Sequence, residues 1–136
     1  MPGDPECLFC KLARGEIPAA IVDQDEHSVV FLDIAPANRG HLLVIPREHS
    51  ADIHEIDAAG LARLHQTAQR MAARLVQRLG CDGVNILQSS GAAAWQSVFH
   101  FHIHVIPRYA GDPLVLPWQP HAADPAEIEA VARELG

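Results

Sequence analysis

The stretch Phe99-His100-Phe101-His102-Ile103-His104-Val105 alternates apolar residues and histidines without a break. A two-residue period is that of a β-strand, so a strand is predicted over residues 98–106, ended by Pro107. On it Phe99, Phe101, Ile103 and Val105 share one face and His100, His102 and His104 the other. Successive histidines then stand roughly 7 Å apart along the strand. One histidine on such a face would read as a satisfied core residue. Three in strict alternation point to chemistry, because histidine is not a favoured strand residue. Two readings are open. A His-x-His pair can hold a hydrolytic metal, given a third ligand and an open position. Alternatively, a neutral imidazole, with an ordinary pKa of about 6.5, is a nucleophile at neutral pH, its neighbours binding phosphate oxygens or the leaving group.

Working outward, residues 83–87 and 41–45 read as short apolar strands, and residues 20–22 and 28–32 as a hairpin around Asp23-Gln24-Asp25-Glu26. Residues 57–79 give the clearest helix. Leu61, Leu64, Ala68, Met71, Leu75 and Leu79 recur at steps of three and four, with Asp57 as N-cap and Gly80 as the stop. Residues 7–15 have room for one or two helical turns. Asp124-Pro125 opens a last short helix with Ile128, Val131 and Leu135 on one side. Strands in adjacent runs around one long helix define an α+β fold: an antiparallel sheet, one long helix and short terminal helices. The expectation is a single domain over 1–136, with a core of about 7–108 and a C-terminal extension of 109–136.

Composition narrows the partners. The formal net charge is −7, with 20% charged residues of both signs spread along the chain. That excludes non-specific nucleic-acid binding, which needs a basic face to release counterions. A free nucleotide is still admitted, through backbone amides and local dipoles. No apolar run has membrane-spanning length, and the acidic, proline-containing start lacks the basic and apolar regions of a signal peptide, so no membrane is expected and the location is read as cytoplasmic. Three cysteines, an odd number, argue against a disulfide framework. Cys7 and Cys10 form C-x-x-C, a spacing for metal or redox chemistry; the redox reading lacks a following βαβ context. Cys81 reads as an apolar filler.

His-x-His-x-His with apolar spacers resembles the signature of the histidine triad (HIT) family. Gln96-Ser97-Val98 and Pro107-Arg108 around it are similar to bacterial members. So are Cys7-Leu8-Phe9-Cys10-Lys11, Gly15-Glu16-Ile17-Pro18, Asp33-Ile34-Ala35-Pro36 and Gly40-His41-Leu42-Leu43-Val44-Ile45-Pro46, in order. The resemblance runs from Cys7 to about Arg108. It implies binding of a purine nucleotide, an adenosine or guanosine monophosphate unit, and attack on its α-phosphorus by the middle histidine, His102. A nucleotidyl-imidazole opened by water is the implied intermediate.

By the same resemblance His104 contacts the phosphate or leaving group, Ser97 donates a hydrogen bond there, and His41 is an accessory histidine. Asp33 matches the carboxylate that accepts both ribose hydroxyls, its two oxygens facing two donors. Phe9, Leu12, Phe31 and Ile34 match the walls around the base, and Ser89 and Gln96 are taken as nucleotide contacts. Two positions depart from the family pattern. Ser89 stands where asparagine is frequent, and Trp95 where glycine is frequent. Both bear on substrate choice.

Some bacterial members complete a tetrahedral zinc site on the Cys pair with a histidine before the long helix and the first triad histidine. Here those are His49 and His100, giving Cys7, Cys10, His49 and His100 as a closed, structural set. The resemblance also implies a homodimer, joined through the long helices and the edge near residues 83–87. Three activities stand open: hydrolysis of nucleoside 5′-phosphoramidates, hydrolysis of dinucleoside polyphosphates, and nucleotide binding with little turnover.

Overall fold

The structure, a computed structural model, describes residues 5–136; the first four residues of the acidic N-terminal stretch lie outside it. The elements are α1 (Leu8–Ala13), β1 (Ile21–Gln24), β2 (Ser28–Leu32), β3 (Leu42–Pro46), α2 (Ala58–Leu79), β4 (Gly83–Leu87), β5 (Ile103–Arg108) and α3 (Pro125–Leu135). The strands form one antiparallel sheet in the order β1-β2-β3-β5-β4. The expected α+β architecture is therefore the observed one.

The two-residue period sorts the strands between two layers. Val30, Leu42, Val44, Ile103 and Val105 face α2 and pack on Leu64, Ala68, Met71 and Leu75. Val29, Phe31, Leu43 and Ile45 face the other way and pack on Phe9 and Leu12 of α1. The centre of the sheet is covered on both sides. α2 starts where the Asp57 carboxylate accepts from the Gly60 amide at 2.6 Å, and ends at Gly80, whose φ of 66° is left-handed. Gly40, with φ of 94°, passes directly under α2. A Cβ there would lie 2.5 Å from Leu79 Cδ1 and 3.3 Å from Leu75 Cδ2. Only glycine lets the loop before β3 approach the helix so closely.

The histidine segment departs from the expected strand at both ends. Ladder pairing starts at Ile103 and runs through Pro107 to Arg108. Before Ile103 the chain is extended but tied to the loop after β3, with the Phe101 amide donating to the Ser50 carbonyl at 2.7 Å. In the register of β3 with β5 the last residue of β3, Pro46, falls opposite Phe101, so no strand is left for residues 98–100 to pair with. Phe101 is still fully buried, but Phe99 is half exposed and does not join the core face. At the other end β5 has passed the β3 ladder, and Pro107 sits opposite Val84 of β4 alone. A missing amide there interrupts no second ladder. α3 forms as expected, capped by Asp124, but none of its residues is buried.

Candidate active site

Opposite α2, β2, β3 and β5 carry a cavity of about 260 Å³ closed by α1. Its apolar walls are Phe9, Leu12, Phe31, Leu43 and Val98, and its chemical groups are Asp33, Ser97, His102 and His104. Ile34 reaches its rim with a fully exposed side chain. Phe9 stands edge-on to His102, ring centroids 5.2 Å apart, and also to Phe31 at 5.5 Å. α1 thus supports both the apolar wall and the nucleophile candidate.

The triad histidines share a side of the chain, opposite Phe101, Ile103 and Val105, and their hydrogen bonds separate their roles. His102 Nδ1 lies 2.7 Å from the carbonyl oxygen of His100. A carbonyl only accepts, so Nδ1 carries the proton and Nε2 keeps its lone pair. His41 Nδ1 accepts from the Ala37 amide at 3.0 Å, so its proton is on Nε2, which donates to His104 Nδ1 at 2.9 Å. His104 is thereby fixed with its proton on Nε2. Burial lowers the pKa of His102, offset in part by its bond to the His100 carbonyl. Burial, with His102 and His41 adding to it, pushes His104 down to about 4. Burial lowers His41 too, against the pull of Asp33. All three are neutral at pH 7.

Asp33 divides its oxygens. Oδ1 accepts from the Ala35 amide at 2.8 Å, holding the turn after β2. Oδ2 lies 3.7 Å from His41 Nε2, at the cavity. Its turn role therefore leaves Oδ2 at the cavity. Gln96 lies elsewhere: its amide group binds the Gly91 amide at 2.7 Å and the Ala51 and Val98 carbonyls at 2.6 and 3.1 Å. It braces the loop carrying Ser97 and is not on the cavity wall. Ser89 is buried beside Trp95, away from that wall. Sequence reading missed the Ala37 amide and the His100 and Pro46 carbonyls. Backbone groups of this kind carry no residue signature.

The four candidate metal ligands converge. The ligand atoms of Cys7, Cys10, His49 and His100 lie within 4.8 Å of one another. His100 Nδ1 is 3.4 Å from both sulfurs, and His49 Nδ1 is 3.3 Å from Cys10 Sγ. Tetrahedral zinc, with bonds of about 2.3 Å to sulfur and 2.0 Å to nitrogen, sets sulfur–nitrogen edges of about 3.5 Å. His100 Nε2 donates to the Pro46 carbonyl at 2.8 Å, which leaves the Nδ1 lone pair aimed at the thiols. Burial pushes His100 down to about 4, keeping it in the neutral form a ligand needs. The residues present fit a closed zinc site. α1 brings the cysteines to it: Cys7 is the N-cap, its sulfur accepting from the Cys10 amide.

A HIT domain family model matches residues 14–111. The chain is 35% identical over 130 residues to an adenosine 5′-monophosphoramidase of Schizosaccharomyces pombe, covering 95% of each chain. It superposes on a protein of Streptococcus mutans with a TM-score of 0.92 and 35% identity, covering 98% of this chain and 85% of the other. A zinc-bound histidine triad protein of Mycobacterium smegmatis matches with a TM-score of 0.80 and 37% identity, covering 98% and 97%. An antiparallel sheet that presents histidines at alternate positions beside an apolar cavity is the architecture of the nucleotide-handling histidine triad proteins. The chain belongs to the HIT family, in its bacterial branch. Two relatives, of Schizosaccharomyces pombe and Saccharomyces cerevisiae, are named as adenosine 5′-monophosphoramidases.

Proposed function

We propose that the protein hydrolyses nucleoside 5′-phosphoramidates, with adenosine as the preferred nucleoside, through a covalent intermediate on His102. The observation that carries this reading is the bond from His102 Nδ1–H to the His100 carbonyl, which leaves Nε2 free to attack. The Nε2 lone pair forms the bond to phosphorus as the phosphorus–nitrogen bond of the substrate breaks. That electron pair leaves with the amine. The ring becomes cationic at Nδ1–H, and the His100 carbonyl accepts from it more strongly as it does. Water then attacks phosphorus, the bond to His102 breaks, and in balance water supplies one proton to the amine and hydroxide to phosphorus. His104 Nε2–H, fixed by the His41 relay, and the Ser97 hydroxyl are the donors facing the phosphate. Asp33 Oδ2 accepts from the ribose, and Phe9, Leu12, Phe31 and Ile34 flank the base.

Zinc on Cys7, Cys10, His49 and His100 would supply stability and no reaction step, since four protein ligands leave no open position. The reading of a homodimer is supported by the free edge of β4, where Ile86 and Leu87 are exposed, and by exposed Val76 on α2. Among the described residues no helix is long and apolar enough to cross a membrane. The proposal is tested by comparing turnover of adenosine 5′-phosphoramidate and a diadenosine polyphosphate. The first is expected to be the better substrate, and the reverse order would overturn the assignment.

A further inference from the structure

The loop that joins β2 to β3 brings Asp33 and His41 to the histidine centre. Within it the Asp33 amide donates to the His41 carbonyl at 3.0 Å, and the His41 amide to the Asn38 carbonyl at 3.1 Å. The Ala37 amide is the donor that leaves His41 with its proton on Nε2. Residues 34–37 are exposed, so packing does not hold that amide in place. An anchor at the neighbouring residue does. Asn38 Nδ2 donates to the Pro107 carbonyl at 3.0 Å and to Asp112 Oδ2 at 2.8 Å, which occupies both its protons. Asp112 is itself fixed. Its side chain is 6% exposed, and its oxygens accept from Arg108 Nε and Nη2, each at 2.8 Å, and from the Tyr109 and Leu114 amides at 2.9 and 3.2 Å. Charged, two-pronged bonds of this kind are strong and directional. The Tyr109 hydroxyl adds a bond to the Arg39 carbonyl at 2.8 Å. Pro107 and Arg108 end β5, the strand that carries His104, so the anchor ties the loop to that strand.

The neutral His41–His104 pair has a second arrangement. His41 can carry its proton on Nδ1, with Nε2 accepting from His104 Nδ1–H. His104 would then turn a lone pair toward the phosphate in place of a donor. The 2.9 Å bond between the rings survives in both arrangements and does not choose between them. The Ala37 amide does, together with Asp33 Oδ2, which lies 3.7 Å from His41 Nε2.

We propose that Asn38 and Asp112 are positioning residues for the reaction: anchored to the end of β5, they hold the Ala37 amide against His41 Nδ1 and so keep His104 a hydrogen-bond donor to the phosphate. This rests on the reading of His104 Nε2–H as a donor in the displacement at phosphorus by His102. Neither residue touches the substrate. Each acts through the tautomer of a histidine that does.

Nitrogen-15 NMR of the imidazole rings reads the tautomers apart from activity. In the wild type at pH 7, His41 and His104 show a protonated Nε2 and a bare Nδ1, and His102 shows the reverse. Asn38→Ala removes both side-chain bonds. Asp112→Asn keeps the volume but offers one acceptor oxygen in place of two, so it tests the anchor from its other end should the first variant fail to fold. Each shifts His41 and His104 toward the other tautomer and leaves His102 unchanged, which also shows that the variant is folded. A loss of stability alone moves no tautomer. In both, kcat for adenosine 5′-phosphoramidate falls about tenfold with KM little changed, a part of the roughly 10²–10³ that removing a whole transition-state donor costs. Wild-type tautomers in a folded variant overturn the proposal, as does a shifted tautomer with unchanged kcat. A wild type that turns over no phosphoramidate, while Asn38→Ala still shifts His41 and His104, would refute the functional reading and leave the anchoring of the tautomers standing.

Discussion

The carbonyl oxygen of His100 lies 2.7 Å from His102 Nδ1, while the ring of the same His100 lies 3.4 Å from the sulfurs of Cys7 and Cys10. One residue thus joins the candidate metal cluster through its side chain and the proposed nucleophile through its backbone. The division of labour between the first and second triad histidines, read from the resemblance, acquires a physical link.

Cys7→Ser tests that link. It removes a thiolate ligand but keeps a side chain able to cap α1, whose Phe9 supports His102, so the loss is that of the metal site. Zinc content should fall below stoichiometric and the melting temperature should drop by about 5 °C, since a shift of 1–2 kcal/mol moves a domain of this size by that much. His102→Ala should leave zinc content unchanged. Elemental analysis and calorimetry of the two variants check this; zinc loss that follows His102 would contradict it.

The pH response has a defined sign. His104 has a folded-state pKa of about 4, against about 6.5 when unfolded, because burial penalises its charged form. Between these values the unfolded chain binds more protons, so stability rises with pH. It is complete above about 6.5 and is lost as pH falls toward 4. His102 is lowered by burial as well, and its neutral form is the reactive one. The rate should be level around pH 7 and decline only in acid, below pH 6.5. A pH–rate profile still climbing through pH 7.5 would contradict this.

Asp33→Asn should reduce discrimination between ribose and 2′-deoxyribose substrates about tenfold, because hydrogen bonds to a charged acceptor are worth roughly 1.5–3 kcal/mol. The turn should survive, since an asparagine oxygen can still accept from Ala35. Competition kinetics with the two nucleosides measure it, and an unchanged ratio would remove Asp33 from the ribose site.

Gly40→Ala should destabilise the fold by about 1–3 kcal/mol, through contact with Leu79 and Leu75 and a left-handed φ. Urea unfolding checks the value. A neutral effect would show that α2 moves aside at no cost.

Much of this was legible in the sequence, for identifiable reasons. Alternation marked Ile103 to Val105 because the sheet there is two-sided, and the spacing of Leu64, Ala68, Met71 and Leu75 marked the buried stripe of α2. Cys7, Cys10, His49 and His100 were named from the resemblance, and the fold brings them together. Phe99 misled because alternation continues past the point where β3 stops offering a partner. Pro107 misled because a proline ends a strand only where its amide is needed. Gln96 looked like a ligand contact because a buried polar side chain and a binding one read alike; its three backbone bonds distinguish them. The tautomers of His41, His102 and His104 depend on backbone groups and were not readable at all.

In the proposed mechanism His102 Nε2 carries the nucleotide between two displacements at phosphorus. The most direct measurement is mass spectrometry of the protein quenched during turnover of adenosine 5′-phosphoramidate, followed by peptide mapping. An adenylyl adduct on His102, absent from His102→Ala, is expected. Substrate consumed in a single turnover with no adduct on His102, and with inversion of configuration at phosphorus, would contradict it.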